Sequence, residues 1–121
     1  MRKLVLAVAM IAAIPAAANA ADAEAGKATF AKCKACHQIG EGAKNAVGPH
    51  LDGIVGKKAA TTEGFTYSEA LKASGITWDE ANLKEWLAAP AKKVPGTKMV
   101  FAGLKDAADI DNVIEYLKTA K

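Results

Sequence analysis

Cys33-Lys34-Ala35-Cys36-His37 places two thiols and an imidazole within five residues. The C-x-x-C-H spacing is the attachment signature of c-type haem. Its mechanics explain the residue types: two thiols one helical turn apart reach the two vinyl groups on one porphyrin edge, and the next residue aims its imidazole at the iron. Three other chemistries use part of this set. A redox-active dithiol goes with a βαβ pattern that the chain lacks. Zinc needs four ligands, and beyond Cys33, Cys36 and His37 only the distant His50 could be recruited. A plain disulfide would enclose too small a loop to staple a fold. Covalent haem c is the expected cofactor, with His37 as proximal iron ligand.

Haem iron takes a further axial ligand. Met1 and Met10 lie in the first twenty residues, which read as a removable leader, so Met99 and His50 are the remaining candidates. His50 directly follows Gly48-Pro49, close to the proximal ligand, and reads as a solvent-facing loop residue. Met99 stands 62 positions beyond His37, far enough for the chain to pass around the haem and return on its opposite side. Met99 is therefore the expected distal ligand. A His/Met pair raises the reduction potential and leaves no open position for substrate, which favours electron transfer over oxygen chemistry.

These residues need elements to position them. Asp22 caps a helix in which Gly26, Phe30 and Cys33 follow helical spacing toward His37. Residues 38–64 carry six glycines and one proline and read as a long loop, which in a compact domain needs something to wrap. A short helix is expected over Ser68 to Ala73, stopped by Gly75. Thr77-Trp78-Asp79-Glu80 has the capping-box pattern, and Leu83, Trp86 and Leu87 then share a helical face until Pro90. Lys92 to Gly103 reads as a second loop with a Pro95-Gly96 turn. Asp106 or Asp109 opens a final helix striped by Ile110, Val113, Ile114 and Leu117, with Lys118 and Lys121 near its negative end. The fold class is all-α, a few short helices separated by long loops.

Length and composition agree. Of 121 residues, Met1 to Ala20 read as an export signal: Arg2 and Lys3, an apolar run from Leu4 to Ile14, then Pro15 and Ala18-Asn19-Ala20 as an A-x-A cleavage site. That run is too short to span a bilayer. The expected mature chain, 21–121, has 14 Lys and no Arg against 13 acids, which argues against nonspecific nucleic-acid binding. It also carries 20 Ala and only 24 larger apolar side chains. Alanine contributes little burial at about 25 cal/mol per Å², and only two cysteines are present to staple the chain. A large apolar cofactor fills the deficit.

The chain resembles a small class I cytochrome c of the bacterial c2 and mitochondrial type. The resemblance covers essentially all of residues 21–121, through Cys33 to His37, Gly48-Pro49-His50-Leu51, Gly64-Phe65-Thr66-Tyr67-Ser68, Gly75-Ile76-Thr77-Trp78 and Pro95 to Gly103 in that order. It implies the cytochrome c fold, wrapped around one covalent haem. It implies that the Pro49 carbonyl accepts the Nδ1 hydrogen of His37, and that Tyr67 and Trp78 hydrogen-bond a haem propionate. Thr97 would support the other propionate's surroundings, and Trp86 would pack beside the haem near Met99. Gly26, Phe30 and Tyr116 would join the first and last helices. Lys57 stands where the family often has Arg, and Leu71 where it often has Asn.

By the same resemblance the protein is a periplasmic monomer and not an enzyme. It would shuttle single electrons from a membrane bc1-type quinol:cytochrome c reductase to an acceptor such as an oxidase, a photosynthetic reaction centre or a nitrogen-oxide reductase. Lys32, Lys34, Lys44, Lys92, Lys93, Lys98 and Lys105 are expected near the haem edge as a docking ring. A gas-binding or peroxidatic haem protein is the alternative, and would require an open distal site.

Overall fold

The computed structural model describes residues 20–121. The export-signal reading, Met1 to Ala20, thus lies outside the described residues except for Ala20. Among the described residues five helices form: α1 (Ala23–Phe30), α2 (Glu69–Ser74), α3 (Glu80–Ala88), α4 (Pro90–Lys93) and α5 (Ala107–Leu117). Among the described residues the only β pairing is an isolated antiparallel bridge between Lys58 and Thr77.

Helix α1 starts because the Asp22 carboxylate accepts from the Glu24 N–H at 2.9 Å. It stops earlier than its spacing suggests. From Ala31 onward the N–H groups reach three residues back, Ala31 to Ala28 and Lys32 to Thr29, so the helix tightens into turns over residues 31–36.

Helix α5 opens at Asp106, whose carboxylate accepts from Ala108 N–H at 2.8 Å, and buries Ile110, Val113, Ile114 and Leu117. The two helices cross at Gly26. A Cβ there would lie 2.5 Å from the Asn112 carbonyl carbon and 2.9 Å from Tyr116 Cβ, so only glycine permits the approach. Phe30, 1% exposed, sets its ring 5.4 Å from that of Tyr116 across the same contact.

Helix α3 is capped differently from the sequence expectation. Asp79, not Thr77, is the N-cap, accepting from Asn82 N–H at 2.8 Å, while Asn82 Nδ2 donates back to the Thr77 carbonyl at 2.9 Å. Thr77 is already engaged in the bridge with Lys58, which holds its backbone one step outside the helix. Pro90 ends α3 and also opens α4 as its first residue, where a missing N–H costs nothing. Ser68 caps α2 through Leu71 N–H, and Gly75 closes it at φ +66°.

One cluster unites Phe30, Trp78, Leu83, Trp86, Leu87, Val94, Leu104 and the stripe of α5. The long loop is tied to it at intervals, with Leu51 N–H on the Gln38 carbonyl, Gly53 N–H on Ala120, and Gly56 N–H on Trp78.

Lys118 at the end of α5 pairs with Glu80 at the start of α3 and with Glu115 at 3.2 Å. Its hydrogen bond to Glu80 raises the lysine above its ordinary value, and the same bond lowers Glu80. A lowered carboxylate contributes stability that is lost as pH falls through its folded value. A raised lysine contributes stability that is lost as pH rises through its own. The pair therefore acts between roughly pH 5 and pH 10. Both groups are exposed, so the effect is small and screened. Glu80→Gln should lower the melting temperature slightly at pH 7 in low salt, with the difference vanishing near ~1 M salt; a difference that survives such salt would contradict an ion-pair origin.

Candidate functional site

The turns after α1 present Cys33, Cys36 and His37 together, through Cys33 N–H to Phe30 carbonyl at 2.8 Å and His37 N–H to Cys33 carbonyl at 2.9 Å. The two sulfurs are not joined to each other. Burial pushes the Cys33 thiol up, the neighbouring Cys36 adds to this, and Lys32 partly opposes it.

His37 Nδ1 lies 2.7 Å from the Pro49 carbonyl. A carbonyl only accepts, so Nδ1 carries the hydrogen and Nε2 keeps its lone pair for a metal. Burial also pushes the His37 imidazole below its ordinary value, with the Pro49 bond pulling the other way. The ring is therefore neutral at neutral pH, the form that ligates. Buried Gly48 backs it closely, since a Cβ there would sit 2.8 Å from Nδ1 and 2.9 Å from Nε2.

Met99 comes from the segment after α4. The Pro95-Gly96 turn is closed by Thr97 N–H on the Val94 carbonyl, and Thr97 Oγ1 then accepts from Met99 N–H at 3.2 Å. Thr97 thereby fixes the backbone that carries the thioether.

His37 and Met99 line the same cleft, of about 260 Å³. Cys33, Cys36, Pro49, Tyr67, Trp78, Trp86 and Thr97 line it too, so the structure brings all nine sequence-selected residues to one place. Most of the remaining wall is apolar, including Phe30, Leu51, Ile54, Leu83, Leu87 and Val113. The donor set fits a haem: two thiols beside a neutral imidazole, a thioether, and a large apolar surround with few polar groups. The residues that line this space are also the centre of the hydrophobic cluster, which is where the composition left room for a cofactor.

Tyr67 and Trp78 bring a hydroxyl and an indole N–H to the lining. Tyr67, 9% exposed, has its ring 4.9 Å from Phe65 and accepts Thr62 N–H on its hydroxyl at 3.1 Å. Trp78 and Trp86 are buried with ring centroids 5.2 Å apart. Leu71 lines the cleft, whereas Lys57 does not.

Two expectations change. His50 does not line the cleft and is not a solvent-facing residue: it is half-buried, with Nδ1 enclosed and without a hydrogen-bond partner, while its N–H donates to Asn45 Oδ1 at 3.0 Å. Lys93 is not a free docking cation, because its ammonium pairs with Glu85 and its side chain is only 19% exposed. Of the seven lysines expected near the edge, Lys32 and Lys98 line the cleft.

Sequence reasoning overlooked Val47 and Val100, which line the cleft and are 75% and 100% exposed. Both adjoin residues it had selected, Val47 before Gly48 and Val100 after Met99. An apolar side chain left in water beside a site was the available signal.

The cytochrome c family model matches residues 23–121. The chain is 58% identical over 102 residues to cytochrome c2 of Rhodoblastus acidophilus, covering 84% of this chain and 95% of that one. It is 60% identical over 96 residues to cytochrome c-550 of Nitrobacter winogradskyi, covering 79% and 88%. Among solved structures, cytochrome cH from Methylobacterium extorquens superposes with a TM-score of 0.77 at 57% identity, over 81% of this chain and 98% of that one. A cleft that gathers C-x-x-C-H and a distant methionine, a family match over nearly all the described residues, and relatives above half identity together establish that the chain belongs to the cytochrome c family.

Proposed function

We propose that the protein is a periplasmic one-electron carrier, exported by cleavage after Ala20, that takes electrons from a bc1-type quinol:cytochrome c reductase and passes them to an oxidase or photosynthetic reaction centre. The observation that carries the reading is the convergence of His37 and Met99, distant in sequence, on one apolar cleft. When bound, haem c supplies a one-electron ferric/ferrous couple. Cys33 and Cys36 would tether it, and His37 Nε2 and the Met99 thioether would hold its iron. Iron held by both side chains would have no position left for a substrate. The apolar wall excludes water, and the Pro49 carbonyl holds the imidazole in its ligating tautomer. Tyr67 and Trp78 offer donors to the propionates, Thr97 steadies the Met99 segment and Trp86 packs near it. Relatives named cytochrome c2 and cytochrome c-550 support a carrier role. Among the described residues no helix is long and apolar enough to cross a membrane.

Intact mass and a visible spectrum of the exported protein test this. The mass should equal residues 21–121 plus one haem, and the ferric spectrum should be low-spin. Two free thiols after acid denaturation, or a ferric site that takes cyanide at once, would overturn it.

Docking follows from the charges that remain free. Lys98 lines the cleft and is exposed, whereas Lys121 is exposed away from it. Lys98→Glu should slow bimolecular electron transfer to an acidic partner by roughly threefold or more at low ionic strength, and Lys121→Glu much less. Stopped-flow rates across a salt series check this, and equal losses from both reversals would count against a docking face at the cleft.

A further inference from the structure

The Pro49 carbonyl reaches His37 from a segment laced to the chain around the ligand by a row of hydrogen bonds. Gly48 N–H donates to the Cys36 carbonyl at 2.8 Å, His37 Nδ1 lies 2.7 Å from the Pro49 carbonyl, and Leu51 N–H donates to the Gln38 carbonyl at 3.0 Å. The last bond of the row differs in kind, because Gly40 N–H donates to a side chain, Asp52 Oδ1, at 2.7 Å. Residues 36–40 and 48–52 are thus joined in the same order along both segments, with the imidazole bond inside the row and the carboxylate bond at its end. Beyond that end the segments part: Gly40, at φ +99°, starts a turn closed by Ala43 N–H on its carbonyl, and Gly53 N–H goes to Ala120. Asp52 is half-buried, and among the described residues no lysine or histidine pairs with it, so the Gly40 N–H is what offsets its partial desolvation. Neither Asp52 nor Gly40 lines the cleft.

A hydrogen bond to an ionised acceptor is stronger than one between neutral groups, so the row is fastened at its end by its only charge-assisted member. The Nδ1 bond inside the row keeps the imidazole in one tautomer and orientation and makes Nε2 a better donor. Both are lost each time that bond opens, and it opens when the two segments separate. We propose that Asp52 is a positioning residue for the proximal ligand: its carboxylate, by holding Gly40 N–H, closes the row in which the Pro49 carbonyl meets the His37 imidazole, and so limits how often that bond opens. Without the carboxylate, the bond between Leu51 and Gln38 becomes the last one, and the segments fray from that end toward His37.

The inference rests on the haem reading above, and the experiment separates the two. Ferrous holoprotein is transferred to D2O at one pH, and NMR follows the loss of the His37 Nδ1 proton and the Gly40 amide proton. Asp52→Ala should speed exchange of the Nδ1 proton about tenfold or more, the effect of losing one hydrogen bond to a charged group. Asp52→Asn keeps an acceptor oxygen and should stay within about threefold of the parent. Ile110→Val is the control for stability alone, since it leaves a gap in the core outside the cleft and away from the row. It should lower the denaturant midpoint and leave the Nδ1 proton at the parent rate. An Nδ1 rate unmoved by Asp52→Ala overturns the proposal, as does Asp52→Asn exchanging as fast as Asp52→Ala. So does an Nδ1 proton that Ile110→Val accelerates as much, which would mark exchange through overall unfolding. A Gly40 amide that exchanges in the parent as in an unstructured peptide overturns it whether or not Asp52→Ala accumulates. A parent protein without covalent haem would overturn the haem reading and this inference with it; haem present with an unmoved Nδ1 rate overturns this inference alone.

Discussion

Met99→Ala should leave the haem attached and its distal side open. The thioether links to Cys33 and Cys36 do not involve Met99, so the intact mass should fall only by the difference between the two side chains. The potential should drop by on the order of 100 mV, within the ~0.8 V range that axial ligands command. Ferric iron should then bind cyanide or imidazole about tenfold faster or more, since a vacated position replaces one that a ligand must first leave. Lys98 is the complication, because it is the adjacent residue and lines the same cleft. Met99→Ala/Lys98→Gln therefore distinguishes an open site from one refilled by the neighbouring amine. His50→Ala serves as control, for His50 lies off the cleft and should alter neither the potential nor the binding rates. Should His50→Ala reproduce these changes while Met99→Ala does not, the distal assignment is wrong.

What could be read from residue types was what depends on short-range pattern. Ile110, Val113, Ile114 and Leu117 announce α5 because a helix repeats every 3.6 residues, and all four are buried. The pentapeptide was legible because covalent attachment demands fixed spacing. The rest depends on contacts between distant segments. Thr77 loses the capping role to Asp79 because its backbone pairs with Lys58, nineteen residues away. Helix α4 is four residues long and begins at Pro90, too short to show periodicity. Lys93 meets Glu85 only because α3 and α4 fold back at Ala89, so its neutralisation is invisible in a count of charges. Thr62 belongs to no motif, and its two hydrogen bonds appear only when the loop closes upon Tyr67.

Gly48→Ala isolates the steric requirement of the proximal side. The backbone of Gly48 is not in the left-handed region, so alanine meets no conformational penalty there and the only obstacle is the His37 ring. The added methyl would lie 2.8 Å and 2.9 Å from the two ring nitrogens, well inside van der Waals contact. Neither side can yield freely, because the ring is bonded to the Pro49 carbonyl at 2.7 Å and Gly48 N–H is bonded to the Cys36 carbonyl at 2.8 Å. Relief requires tilting the imidazole, which misaims Nε2, or moving the loop, which breaks its anchor on Cys36. Overpacking of this kind costs about 1–3 kcal/mol, seen as a lower denaturant midpoint with an unchanged slope. A tilted imidazole adds a weaker iron bond, so the ferric spectrum should gain high-spin character. Pro49→Ala should do neither, because the acceptor for His37 is a backbone carbonyl that alanine also supplies. A Gly48→Ala protein with the parent midpoint and a fully low-spin spectrum would show that the proximal loop yields without cost, contrary to the close packing of Gly48 against the ring.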